Sequence, residues 1–290
     1  MAQSTSPLSR LQTFGSFVRV GHAVFALPFA LVGGLLAMHE VGFQGWRLAW
    51  IVLCMVTARS AAMGFNRVVD ARFDARNPRT AARELPAGRM TTREAWVFVI
   101  VSSLLFVAST VPLGWLCVAL SPVALAIVFW YSLAKRVTSY TQAFLGLAMA
   151  VAPIGAWLGA GGGVSVVPAL LGLAIGAWVA GFDILYACQD VDVDRREGLH
   201  SIPVRFGVRR AIAFSRTLHV GAVAALAAVG FAASLGPLYQ GGVVLVAGLL
   251  AWEQSMIAAD DLSQVKRAFD LNGWVGLLYL AVTAVAVYWR

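Results

Sequence analysis

The chain has 290 residues, 60% hydrophobic and 12% charged, with a mean hydropathy of +0.78 and a net charge of +8. A soluble domain carries about 25% charged residues, so this composition excludes a large water-soluble domain and reads as a polytopic, all-α membrane protein. The net positive charge alone would suit nucleic acid, but its distribution argues against that partner.

Residues 1–9 are polar. The first apolar run, about 18–38, exceeds the ~7–15 residues of a secretory h-region and lacks a small-residue cleavage site, so it reads as a retained span. Eight further runs of spanning length follow, at about 46–66, 94–111, 113–131, 141–160, 166–188, 209–233, 239–258 and 271–289. The expectation is nine transmembrane helices in a single domain covering 1–290, arranged around a central cavity that opens to the cytoplasmic side. Pro112 and Gly114 leave only a tight turn between the third and fourth spans. Cys54, Cys117 and Cys188 each stand alone in an apolar segment, which suits small buried hydrophobes and neither a disulfide nor a metal spacing.

The basic residues sort by side. Arg10 and Arg19 precede or open the first span. Arg67, Arg72, Arg76, Arg79, Arg83, Arg89 and Arg93 sit between spans two and three, and Lys135 and Arg136 between four and five. Arg195, Arg196, Arg205, Arg209, Arg210 and Arg216 sit between or beside six and seven, and Lys266 and Arg267 between eight and nine. Of the other three, Arg47 and Arg290 belong to the opposite side and Arg59 lies within a span. The positive-inside rule then puts the N-terminus and these links in the cytoplasm and the C-terminus outside, in a cell inner membrane. Part of this basic set suits anionic lipid headgroups.

Six of the nine Asp fall in two short segments, 70–74 and 183–194. Ionisable groups beside hydrocarbon are costly and face a cavity or a partner. In a helix, Asn66, Asp70 and Asp74 fall within an arc of about 80°. In "DILYACQDVDVD", Asp190 returns to the face of Asp183, Asp194 continues it if the helix persists, Asp192 points away, and Tyr186 shares the Asp183 side. Two carboxylate stripes at one level repel unless something positive separates them. Surface salt bridges to the nearby arginines are one answer. The other is Mg²⁺, which takes carboxylate, water and phosphate oxygens, with Arg and Lys on the phosphates. No P-loop and no HExxH motif occurs, and His22, His39, His200 and His219 are scattered. The glycine-rich stretch 159–163 reads as an external turn.

These residues resemble the UbiA superfamily of intramembrane aromatic prenyltransferases, over nearly the whole chain. The first motif is Asn66-x3-Asp70-x3-Asp74, followed by Arg79, Thr80, Arg83, Pro86 and Gly88, with Arg59 seven residues before the Asn. "YSLAKRVT" at 131–138 is similar to the family's second link, and Asp183, Tyr186, Asp190, Asp194, Gly198, Ser201 and "RFG" at 205–207 to its second motif. Two positions depart: Arg67 stands where the family often has Asp, and His200 where it often has Lys. The opening "RVGHAVFALPFA" (19–30) resembles bacterial quinone-pathway members, which act on 4-hydroxybenzoate or on a dihydroxynaphthoate.

The resemblance implies Mg²⁺-dependent transfer of a prenyl group from a polyprenyl diphosphate to a phenolic aromatic acid, inside the lipid bilayer. It implies Asn66, Asp70, Asp74, Asp190 and Asp194 around the metal, with Asp70 and Asp190 central to catalysis. Arg79, Lys135, Arg136 and Tyr186 become candidates for substrate contact, with Arg136 also a candidate for the aromatic carboxylate. Asp183 is either the group that orients or deprotonates the phenol or a further metal ligand. Arg59 meets the aromatic carboxylate or pairs with Asp183, and His22 is a packed helix histidine or a substrate contact. No obligate protein partner is inferred. A secondary transporter is the alternative, but transporters favour midplane sites on broken helices. Here the acids lie at helix ends, and Pro28, Pro122 and Pro153 coincide with neither cluster.

Overall fold

The computed structural model describes residues 15–17 and 23–289, with the backbone alone for 23–26. Arg10, Arg19, His22 and Arg290 lie outside the described residues. In chain order the helices are α1 (Ala23–Val41), α2 (Gly45–Asp74), α3 (Thr92–Thr110), α4 (Trp115–Ala134), α5 (Thr141–Gly159), α6 (Val167–Ala187), two short helices α7 (Val191–Arg196) and α8 (Ile202–Phe206), then α9 (Val208–Ala232), α10 (Gly236–Ser255) and α11 (Val265–Tyr288). Seven helical stretches among the described residues are long and apolar enough to cross a membrane, by length and composition: those built on α2, α3, α4, α5, α6, α9 and α11. The protein is a multi-pass membrane protein.

Local chemistry sets the ends. Thr91 and Glu94 form a reciprocal capping box at the start of α3. Val111–Leu113 makes a single 3-10 turn, and Gly114 at φ 122 reverses the chain into α4, a conformation that excludes most side chains. At the far end of the bundle Arg47 Nη1 donates to Gly159 O at 2.8 Å, placing a cation on the carbonyls that end α5.

Packing neighbours run around the bundle as α1, α2, α3, α4, α5, α6, α9, α10, α11 and back to α1, and α1 also crosses α5. Small residues allow the closest crossings. A Cβ on Gly33 of α1 would run into the backbone of Pro153, and one on Gly146 of α5 into the Gly176 carbonyl of α6. Without water to expel, helices in lipid gain from close van der Waals contact, and small residues permit it. The main core gathers Phe29, Trp157, Trp178, Tyr239 and Tyr279, all nearly or fully buried. Its polar atoms are satisfied internally: Tyr239 and Tyr279 share a 2.8 Å bond, and Trp178 Nε1 donates to Asn272 Oδ1 at 2.7 Å. In hydrocarbon no solvent would replace these bonds.

Two features position the site. α2 has 30 residues, about 45 Å of helix against about 30 Å of hydrocarbon, so its acidic end continues beyond an apolar crossing. The second acidic segment does not stay α-helical. After α6 comes a 3-10 turn, Cys188–Asp190, and then α7. The condition set for Asp194, that the helix persists, is therefore not met in strict form: a 3-10 turn interrupts it, and Asp194 still ends within electrostatic reach of Asp183.

Candidate active site

The ends of α2 and of α6–α7 meet at one mouth, tied together by the links that follow them. The α2–α3 link crosses to the second acidic segment. Arg79 engages Asp190 with both Nε and Nη2, and the Nε bond is 3.2 Å. The same guanidinium donates to Tyr186 Oη at 2.6 Å and lies over that ring. Asn77 Nδ2 adds a 3.3 Å bond to Asp190, while its Oδ1 accepts from the Arg79 backbone N–H and fixes the turn. Farther out, Arg76 pairs with Glu197 at 2.7 Å. Burial works to lower the Arg79 pKa, but the Asp190 carboxylate, with Tyr186, outweighs it and raises Arg79 above the ordinary arginine value.

The α2 stripe is neutralised from the other links. Asp70 is buried and takes Lys135 Nζ at 2.8 Å and Arg136 Nη2 at 2.9 Å. Asn66 Nδ2 lies 3.2 Å from the same carboxylate. Arg136 also donates to Val69 O at 2.6 Å, and both basic residues stand over the Phe73 ring. Asp74 is held by Arg83 Nη1 at 2.7 Å to each oxygen. The Thr80 hydroxyl closes the turn onto Asp74 O at 3.0 Å. His200 joins this frame by its backbone, donating to Lys135 O at 2.7 Å.

Asp183 and Asp194 differ from the other acids. Among the described residues neither side chain has a hydrogen bond or ion pair, although Asp190, Lys135 and Arg79 act on both electrostatically. Asp192 is exposed, as its register implied. Among the described residues no three carboxylate, imidazole or thiol groups stand close enough to form a ready cation cage. The donor chemistry nonetheless fits a hard divalent cation. Two unpartnered carboxylates adjoin three others whose counter-charges are exchangeable side chains on links.

Beneath the mouth, α2, α3, α4 and α5 enclose an apolar chamber of about 300 Å³, with Cys54, Met55, Phe106 and Met149 in its wall and Arg59 and Tyr131 as polar elements. Arg59 Nε is buried with no partner among the described residues. Arg59 does not pair with Asp183. Its electrostatic neighbour is Tyr131, which also senses Asp70 and Asp183 and so links chamber and mouth. The structure thus brings together ten of the sequence-derived residues around the mouth (Asn66, Asp70, Asp74, Arg79, Lys135, Arg136, Asp183, Tyr186, Asp190, Asp194) and puts Arg59 in the chamber. Sequence reasoning did not single out Asn77 or Tyr131, and it took Arg83 only as part of the motif's continuation. The Asn-Pro dipeptide at 77–78 and the Tyr that opens "YSLAKRVT" were the available signals. Arg67 turns away from the mouth, and its Nε donates to Phe17 O at 3.4 Å.

Bundle and mouth together define a multi-pass membrane protein with an ionic site set over an apolar chamber. The model of the UbiA prenyltransferase family matches residues 26–287. A 4-hydroxybenzoate octaprenyltransferase of Tolumonas auensis is 34% identical over 223 residues, 77% of this chain and 78% of that one. The apo structure of a UbiA homologue from Aeropyrum pernix K1 superposes with a TM-score of 0.84 at 35% identity, covering 92% of this chain and 98% of that one. A UbiA homologue from Archaeoglobus fulgidus, bound to GPP and Mg²⁺, shares the fold at 19% identity with a TM-score of 0.71, covering 95% and 99%. The chain belongs to the UbiA prenyltransferase family, and it is a prenyltransferase.

Proposed function

We propose that this enzyme transfers a polyprenyl group from its diphosphate to 4-hydroxybenzoate, with Mg²⁺ as cofactor, as a step of quinone biosynthesis. The observation that carries this reading is the mouth itself: two acidic helix ends and the basic links converge directly above an apolar chamber that contains an unpartnered arginine. The relatives named 4-hydroxybenzoate octaprenyltransferase support the acceptor.

In this reading Asn66, Asp70, Asp74, Asp190 and Asp194 would hold Mg²⁺, which would supply Lewis-acid neutralisation of the departing diphosphate. Arg79, Lys135 and Arg136 leave their carboxylate partners for the phosphate oxygens, helped by Tyr186. The allylic carbon–oxygen bond breaks and its electron pair leaves with the diphosphate. The chamber wall keeps water from the allylic cation, and Arg59 holds the carboxylate of the aromatic acid. The ring carbon ortho to the hydroxyl forms the new carbon–carbon bond. Asp183, which has no partner of its own, orients the phenol and takes up a proton. The tail leaves the chamber toward lipid.

The proposal includes one domain over 1–290, crossing an inner membrane nine times, with the N-terminus and the mouth cytoplasmic and the C-terminus outside. α1 and α10 then add the two crossings that composition alone leaves out. Incubating purified enzyme with Mg²⁺, octaprenyl diphosphate and a mixture of 4-hydroxybenzoate and a dihydroxynaphthoate tests the reaction. Mass spectrometry should find prenylated 4-hydroxybenzoate. A prenylated naphthoate alone would overturn the acceptor, and absence of any prenylated aromatic would overturn the reaction.

A further inference from the structure

A second cavity lies outside the mouth, between α9 and α10, with a volume of about 480 Å³. Its polar end is formed by Arg216, Gln254 and Ser255, and its walls continue over Val220, Ala247 and Ala251. Arg216 is exposed and, among the described residues, has no hydrogen bond or ion pair. Gln254 is 7% exposed. Both hydrogens of its amide are committed, one to Ser215 Oγ at 2.7 Å and one to His219 Nδ1 at 3.0 Å. The other ring nitrogen of His219 sits 3.2 Å from Trp178 O, which fixes the tautomer and keeps Nδ1 an acceptor. The Gln254 carbonyl is therefore held as an acceptor, and it has no donor among the described residues.

Depth identifies the occupant. α10 has 20 residues, about 30 Å of helix, the thickness of the hydrocarbon layer, and Ser255 ends it on the side of the basic links. Arg216 lies about 12 Å along α9 from its start, level with that end across the groove. A cation, a fixed acceptor and a hydroxyl thus sit at headgroup depth, and an apolar trough descends from them. A soluble anion would use only the upper part. A phospholipid uses all of it, and the single unpaired cation selects an anionic one.

We propose that the α9–α10 groove binds an anionic phospholipid of the cytoplasmic leaflet. Its phosphate sits on Arg216, a headgroup hydroxyl donates to Gln254, and one acyl chain lies along Val220, Ala247 and Ala251. The probe is phosphatidylglycerol, compared with phosphatidylcholine of the same chains and with inorganic phosphate. Native mass spectrometry and thermal unfolding are run on the detergent-purified full chain. Phosphatidylglycerol should be retained and should raise the unfolding midpoint. R216Q should weaken its retention by about tenfold, the loss of one charge-assisted contact. A251W should block the trough while the prenyl diphosphate with Mg²⁺ still stabilises the variant, which shows that it is folded. Equal retention of phosphatidylcholine, unchanged retention in R216Q, or the same midpoint shift from inorganic phosphate would each overturn the proposal.

Discussion

The Arg79–Asp190 pair separates two meanings of an acid at the mouth, because a structural bridge and a metal-holding carboxylate respond oppositely to removal of the partner. The side chains are 35% and 18% exposed. A bridge this open contributes about 1 kcal/mol at most once solvent screening is counted, about fivefold in an equilibrium. Under the proposed reaction, R79M removes one charge-assisted contact to the departing diphosphate, worth about 1.5–3 kcal/mol, so the rate should fall about 10–100-fold. Under the proposed reaction, D190N removes one carboxylate that would hold Mg²⁺. That loss should reach about 10³-fold, the scale of a preorganised group aimed at developing charge. The double variant R79M/D190N restores charge balance and would return to near wild-type rate if the pair were only a strut. We expect it to stay at or below D190N. Initial rates of prenylated product in a reconstituted bilayer at saturating Mg²⁺ measure all three. A D190N rate within fivefold of wild type, or recovery in the double variant, would refute the assignment.

Other expectations concern single positions. R59M should raise the KM for 4-hydroxybenzoate about tenfold or more with little change in the KM for the prenyl diphosphate, since one charged hydrogen-bond partner is lost; steady-state kinetics over both substrates reads the split. G146V drives a side chain into the Gly176 carbonyl, so the α5–α6 crossing must open, and the yield of folded protein on size-exclusion chromatography should drop sharply. Glu84, in the α2–α3 link, has its pKa lowered: burial opposes the shift, but the Ser16 hydroxyl, Arg67 and Arg89 outweigh it. Its folded pKa therefore lies below its unfolded one, and it contributes stability above the ordinary glutamate range that disappears as pH falls through the depressed value. E84Q should unfold at a lower temperature than wild type at pH 7, and the gap should narrow below about pH 4. A gap that widened in acid would reverse the sign of this argument.

Much of the site is legible in the sequence because helical periodicity transmits it. Asn66, Asp70 and Asp74 need only α2 to persist, and it does so to Asp74. Hydropathy ends the second span near residue 66 because it registers polarity, whereas the backbone continues until the turn closed by Thr80. Asp194 was harder to place. A 3-10 turn at Cys188–Asp190 carries no strong local signature, so the sequence left the position of Asp194 conditional on a helix that the structure interrupts. The pairing partners were not legible either. Nothing local says that Arg79 crosses to Asp190 while Arg83 returns to Asp74, because the choice depends on how the α2–α3 link folds over a distant helix end. Arg67 illustrates the reverse case: a departure from the family pattern at motif level becomes a contact between α2 and Phe17.

The ion pairs also bear on the order of binding under the proposed reaction. Asp70 and Asp190 hold the guanidinium and ammonium groups that a diphosphate would need. An incoming diphosphate must therefore compete with carboxylates for Arg79, Lys135 and Arg136. It leaves behind acids whose burial makes unpaired charge costly. Asp183 and Asp194 are unpartnered among the described residues, and a divalent cation held there would relieve that cost by supplying counter-charge to the acids of the mouth. Each ligand thus removes the penalty the other would face. By linkage, the factor by which Mg²⁺ tightens the prenyl diphosphate equals the factor by which the diphosphate tightens Mg²⁺. The charge arrangement makes the pair the natural unit of binding, and it explains how so many acids and bases can share one mouth at the membrane surface without holding it permanently closed.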